Sequence, residues 1–181
     1  DAVQPQYIEV PNAGLCLLII WLPRLFNMLS LLTEDGSDLK DTEARVKAIF
    51  ILQRLVTDEP QEYKEQELAF NRILTGCPFQ VPLPKTLKLA DYEIMTIESM
   101  IIGIKNNCEK FKNISAKGFQ LNFIERPGRL EQREDKWVLY VEGRSYDMLL
   151  DFLPWSYRLV QLPWLEKRIN VVWRDKGEFD F

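Results

Sequence analysis

The sequence predicts an α+β fold, helical over its N-terminal two thirds and closed by a small antiparallel β-sheet. Three observations carry that expectation. From residue 15 to about residue 123, apolar side chains recur mostly at helical spacing. After the turn signal Arg126-Pro127-Gly128 they alternate with polar ones, as strand residues do. The tripeptide Leu-Pro-Trp then occurs twice, at Leu153-Pro154-Trp155 and Leu162-Pro163-Trp164. Proline fixes its own φ and drives the preceding residue toward extended geometry, so a large indole placed after it pins backbone against a surface.

The helical part, residues 11–123, opens at the turn Pro11-Asn12-Ala13-Gly14. The apolar run behind it is uninterrupted only to Leu22, short of the ~20 residues that cross a bilayer, and Pro23 and Arg24 follow at once. No basic stretch precedes it, as a signal peptide requires. Arg24, Asn27 and Ser30 fall on one helical stripe among apolar neighbours, so the run reads as a nearly buried helix kinked or restarted at Pro23. A second helix is expected over residues 42–56, with Asp41 as N-cap and Ala44, Ala48, Ile51, Leu52 and Leu55 facing inward. A third covers about 65–74 and is capped by Gly76. The connector 77–85, with Pro78, Pro82 and Pro84, reads as an extended excursion. A fourth helix starts near Asp91, and a short one follows Ser115.

The β-rich part, residues 124–175, begins with a hairpin whose strands, 129–132 and 137–142, flank the polar Arg133-Glu134-Asp135-Lys136. Residues 146–153 form a short amphipathic helical turn, and 157–162 and 169–173 two further strands. The tail, 176–181, alternates acidic and aromatic residues and ends in Phe179 and Phe181; it is either a loose end or a strand donated to a neighbour. All 181 residues are expected to form a single domain. The chain begins at Asp1 without a methionine, which suggests a fragment.

Composition narrows the chemistry. With 46% hydrophobic and 28% charged residues the chain is an ordinary globular protein. A net charge of -4 argues against nucleic acid, and the lysines at 105, 110, 112 and 117 lack interleaved aromatics and read as a solvated helix end. There are 0 histidines, which removes Ser-His-Asp and Cys-His arrangements. Cys16, Cys77 and Cys108 are far apart, which favours reduced thiols and no zinc site. No enzymatic activity, metal or cofactor is expected.

Several segments together resemble the C-terminal region of the tape measure proteins of contractile injection systems, which are phage-tail-like delivery machines. They are Asn12-Ala13-Gly14-Leu15, Leu22-Pro23-Arg24-Leu25-Phe26, and Leu68-Ala69-Phe70-Asn71-Arg72-Ile73-Leu74 with Gly76. They continue with Lys112-Asn113-Ile114-Ser115, Gly118, Glu125-Arg126-Pro127-Gly128-Arg129-Leu130, Tyr146-Asp147-Met148-Leu149-Leu150-Asp151 and both Leu-Pro-Trp elements. The chain departs from that pattern at Ile19-Ile20, where the family has His-Pro, at Cys108 in place of Trp, and at Thr75 in place of Cys, which suits a divergent member or a related component.

The resemblance implies a non-enzymatic structural component, the end-piece of a protein that sets tube and sheath length and docks at the baseplate or hub. Its implied partners are tail tube, hub or spike and baseplate proteins. It would be oligomeric within the particle, cytoplasmic during assembly and thereafter part of the particle. The alternatives are an adaptor or assembly chaperone of the same machine, and a hydrolase working through carboxylates or a lysine.

The candidate interaction residues are Leu153, Pro154, Trp155, Leu162, Pro163, Trp164, Phe179 and Phe181; Trp155 and Trp164 are either docking anchors or core indoles. Asp147 and Asp151, four apart, could mimic a catalytic carboxylate pair, but pairing with Arg126, Arg129, Arg133 or Arg144 is the commoner use.

Overall fold

A computed structural model of the protein describes residues 6–59 and 61–174. The chain enters through strand β1, Tyr7–Val10, and turns at Asn12 into a 3₁₀ helix, Ala13–Trp21. That helix continues into α1, Leu22–Met28, with Pro23 in its first turn, where a missing N–H removes no helical bond. Helix α2, Thr42–Val56, starts at the Asp41 cap, whose carboxylate accepts from the Ala44 N–H at 2.7 Å. A 3₁₀ turn, Glu65–Leu68, leads into α3, Ala69–Thr75, which stops at Gly76 in the left-handed region (φ 67°). Helix α4 is Asp91–Asn106. Ser115 caps α5, Ala116–Phe119, and one π-helical turn, Gln120–Ile124, follows.

Beyond it come β2, Gly128–Gln132, and β3, Lys136–Val141. The 3₁₀ helix Asp147–Phe152, the two-residue strand β4, Leu159–Val160, and β5, Arg168–Val172, complete the described chain. The strands form one sheet in the order β1-β2-β3-β5-β4.

The expected helical two thirds followed by an antiparallel sheet is wrong on two counts. The sheet begins at the N-terminus, because β1 pairs with β2 (Ile8 opposite Leu130). It is also mixed, because β3 and β5 run parallel, with Leu139 opposite Val171. The physical reason is that periodicity marks a strand but not its partner. β1 has only 4 residues, one apolar alternation, and its partner lies across the whole helical part. The β3 to β5 connection is long enough, through the 3₁₀ helix and β4, to bring the chain back in the same direction.

One sheet face is apolar and meets the helices: Ile8 and Val10, Leu130, Trp137, Leu139 and Val141, Ile169 and Val171, and Val160 all join the same core. The apolar run is the centre of that core, with residues 13–19 buried. Ile20, expected inside, is 55% exposed. Two glycines permit the closest backbone approaches. A Cβ on Gly14 would sit 1.8 Å from the Phe123 carbonyl oxygen, and one on Gly128 would sit 2.5 Å from the Ala13 Cβ. The 3₁₀ helix is therefore pressed against the π turn at Gly14 and against the first hairpin strand at Gly128, with no room for a Cβ at either glycine.

Candidate functional site

The two Leu-Pro-Trp elements bracket the edge strand β4. Both indoles turn back onto the helical part. The Trp155 Nε1–H donates to the Leu17 carbonyl at 3.0 Å, and its ring meets Trp21 edge to face at 4.4 Å. The Trp164 Nε1–H donates to the Leu74 carbonyl at 2.8 Å, and its ring packs beside Phe26 at 5.6 Å. Each indole thus donates to a backbone carbonyl of the helical part, Trp155 on the 3₁₀ helix and Trp164 on α3. Both rings are half-buried, and Leu162 is buried. Pro154 and Pro163 are exposed, as are Phe152 and Leu159. The motif therefore has an inward side of indoles and an outward side of prolines and apolar side chains. Phe179 and Phe181 lie outside the described residues.

The two aspartates do pair with arginines, but in opposite settings. Asp147 and Arg126, each with a side chain 1% exposed, form a two-pronged pair at 2.6 and 2.7 Å. Asp147 also accepts from the Trp173 indole at 3.0 Å and from the Arg144 backbone N–H at 2.8 Å. Arg126 donates further to the carbonyls of Glu142 and Asn122, and its guanidinium lies 5.1 Å from the Trp173 ring centre and 5.5 Å from that of Tyr146. Burial pushes the Asp147 carboxyl up, but the hydrogen bonds from Arg126, Trp173 and Arg144 outweigh it and hold the group below its ordinary value of 3.8. Asp151 meets Arg174 at 2.7 Å in an exposed pair. The Asp147 carboxylate is thus held ionised by its three donors, while Asp151 stands in solvent.

Sequence reasoning missed a second buried joint. Asn12 donates to Asn71 at 2.7 Å and to Gln53 at 3.3 Å, and Asn71 donates to Gln53 and to the Ile49 carbonyl. This ties the turn after β1 to α2 and α3. Beside it Arg72, 2% exposed, donates to the Pro78 carbonyl at 2.7 Å and pairs with Glu65, clamping the proline-rich connector. The signal available was polar residues inside otherwise apolar helices, which points to buried networks. Lys105, read as solvated, is also buried, with its ammonium on the carbonyls of Phe111 and Lys112.

The three cysteines are buried free thiols. Burial raises the Cys16 thiol far above its usual value. Among the described residues no group of three His, Cys, Asp or Glu side chains is placed to hold a metal ion, and no helix is long and apolar enough to cross a membrane.

Asn12, Gly14, Asn71, Arg126, Gly128, Asp147, Trp155 and Trp164 are all among the residues that carry the resemblance, and all of them join separate elements of the fold, while Arg72, also among them, clamps its own connector. Comparison with curated proteins and with solved structures gives no match. The family model described as contractile injection system tape measure protein matches residues 1–173, and the chain belongs to that family.

Proposed function

We propose that these residues are the folded end-piece of a tape measure protein, held at the baseplate or hub of the particle, and that the measuring length lies outside them. The observation that carries this reading is helix length. A ruler must span the tube lumen, whereas the longest described helix, α4, has 16 residues, about 24 Å at 1.5 Å per residue. What the fold offers instead is a rigid body with a pinned strip. The indoles of Trp155 and Trp164 hold Leu153-Pro154 and Leu162-Pro163 in place. Pro154, Leu159 and Pro163 then form the outward side that meets hub, spike, tube or baseplate subunits. Assembly takes place in the cytoplasm, the chain acting as a structural part without catalytic turnover.

Leu159→Lys tests the docking half of this reading. It changes one exposed residue of the edge strand, so stability should stay within about 0.5 kcal/mol, while assembled particles should fall at least tenfold in electron micrographs. Normal particle yield from the variant would remove the strip from the interface. Absence of the protein from purified particles would identify an adaptor or chaperone instead.

A further inference from the structure

Residues 86–89, between the proline-rich connector and α4, form an extended segment that resembles a strand lacking a partner. Thr86 and Lys88 are exposed while Leu87 and Leu89 turn inward, the two-residue alternation of a strand. None of the backbone N–H or C=O groups of these residues bonds to any described residue. The segment borders a groove of about 500 Å³ whose apolar wall includes Phe50, Tyr63, Leu87 and Ile94. Gln53 lines the groove as well and is 7% exposed. Its Oε1 accepts from Asn12 and Asn71, and its amide donor has no partner among the described residues.

The rim carries an excess of negative charge. Asp58, Glu59 and Asp91 stand there with Lys88, while Arg54 is drawn to Glu98 at 2.6 Å and Lys117 reaches Glu59 at 3.2 Å. The nearby Glu125 carboxyl is held above its ordinary value, first by burial and then by the Glu59 charge.

We infer that this groove binds an extended segment of a partner protein that places an apolar side chain against Phe50 and Leu87, pairs its backbone with residues 86–89, and carries lysine or arginine beside that side chain. Open backbone groups favour strand addition, the apolar wall supplies a pocket for alternate side chains, and the acidic rim selects basic flanks. A small polar ligand would leave the apolar wall wet. An acidic peptide would face like charge. This inference is independent of the end-piece reading, because the groove shares no lining residue with the Leu-Pro-Trp strip and binding is read on the purified chain.

The probe is a fluorescein-labelled heptapeptide with a Val-Leu-Val centre flanked by lysines, compared with one flanked by glutamates and one with a Gly-Ser-Gly centre. Binding of the lysine peptide to the full chain should saturate and should weaken at least tenfold for the other two. The double variant Asp58→Lys, Glu59→Lys lies on an exposed loop and should melt like the parent. It should lose the lysine peptide tenfold and gain the glutamate peptide. Amide hydrogens of residues 86–89 should exchange at least tenfold more slowly in the complex. The inference is overturned by no saturation up to millimolar lysine peptide, by equal binding of the Gly-Ser-Gly peptide, or by binding without slowed exchange at 86–89.

Discussion

Arg126 and Asp147 are each 1% exposed and, between them, find partners in Trp173, Arg144, Glu142 and Asn122. The backbone of residues 86–89, which borders the groove beside α2, bonds to no described residue at all. The same chain thus closes one polar region completely and leaves another open. The difference separates two uses of polarity. A buried charge is tolerable only when fully paired, so the first region fixes one arrangement of helices and sheet. An exposed extended backbone keeps its groups on water, which a partner strand can displace with little loss.

The sharpest way to break the closed region is Asp147→Ala, which strands a buried guanidinium. Unfolding by denaturant should show a loss of about 3 to 5 kcal/mol; a loss under about 1 kcal/mol would mean that Arg126 is held by its carbonyl partners alone. Trp164→Ala should follow with about 2 to 3 kcal/mol, because it removes packing on Phe26 and uncovers the Leu74 carbonyl. If that variant melts with the parent, the strip is not anchored by its indole.

Acid sharpens the comparison further. The Asp147 carboxyl is depressed in the fold, so its contribution is complete above the ordinary value of 3.8 and is lost as pH falls below it toward the folded value. Stability measured downward from pH 4 should therefore fall more steeply in the parent than in Asp147→Asn. Equal slopes would show that the carboxylate is not preferentially stabilised. The smallest effect belongs to Asp151→Asn, whose exposed pair with Arg174 should be worth no more than about 0.5 kcal/mol.

Asp147 and Asp151 are four residues apart and look alike in the sequence, and that is where reading it from pattern alone reached its limit. The pairing of Asp147 with one of the nearby arginines was legible, whereas Asp151 meets Arg174, which lay outside the expected set. Which of the two aspartates is buried was not legible, because burial of Asp147 depends on Trp173 and Arg126 arriving from other elements. Helix boundaries were readable where local chemistry sets them: the Asp41 and Ser115 caps, the Gly76 stop, and the polar turn between β2 and β3. Strand partners were not, because β1 and β5 pair with residues that no local signal indicates. The 3₁₀ geometry of residues 13–21 was also hidden, since a run apolar on every side has no period to read. The Leu-Pro-Trp strip was found from its rare repeat, whereas the groove at 86–89 consists of ordinary leucines and open backbone and left no mark in the sequence.

The pairing of β1 with β2 also governs the order in which the chain can be made and folded. Glu9 and Arg129 are bonded across a separation of 120 residues, and closing a loop of that size costs about 4 kcal/mol of chain entropy before the sheet returns anything. At ordinary translation speeds, on the order of ten seconds pass between the emergence of the first strand and that of its neighbour. During that interval α2 and α3 can form, but Gly14 has no π turn to rest on and Ile8 has no Leu130 opposite it. Nascent chains therefore carry an uncovered apolar segment from β1 through the 3₁₀ helix until β2 has been synthesised, and any product terminated before β2 would be a substrate for chaperones or proteases rather than a part for assembly.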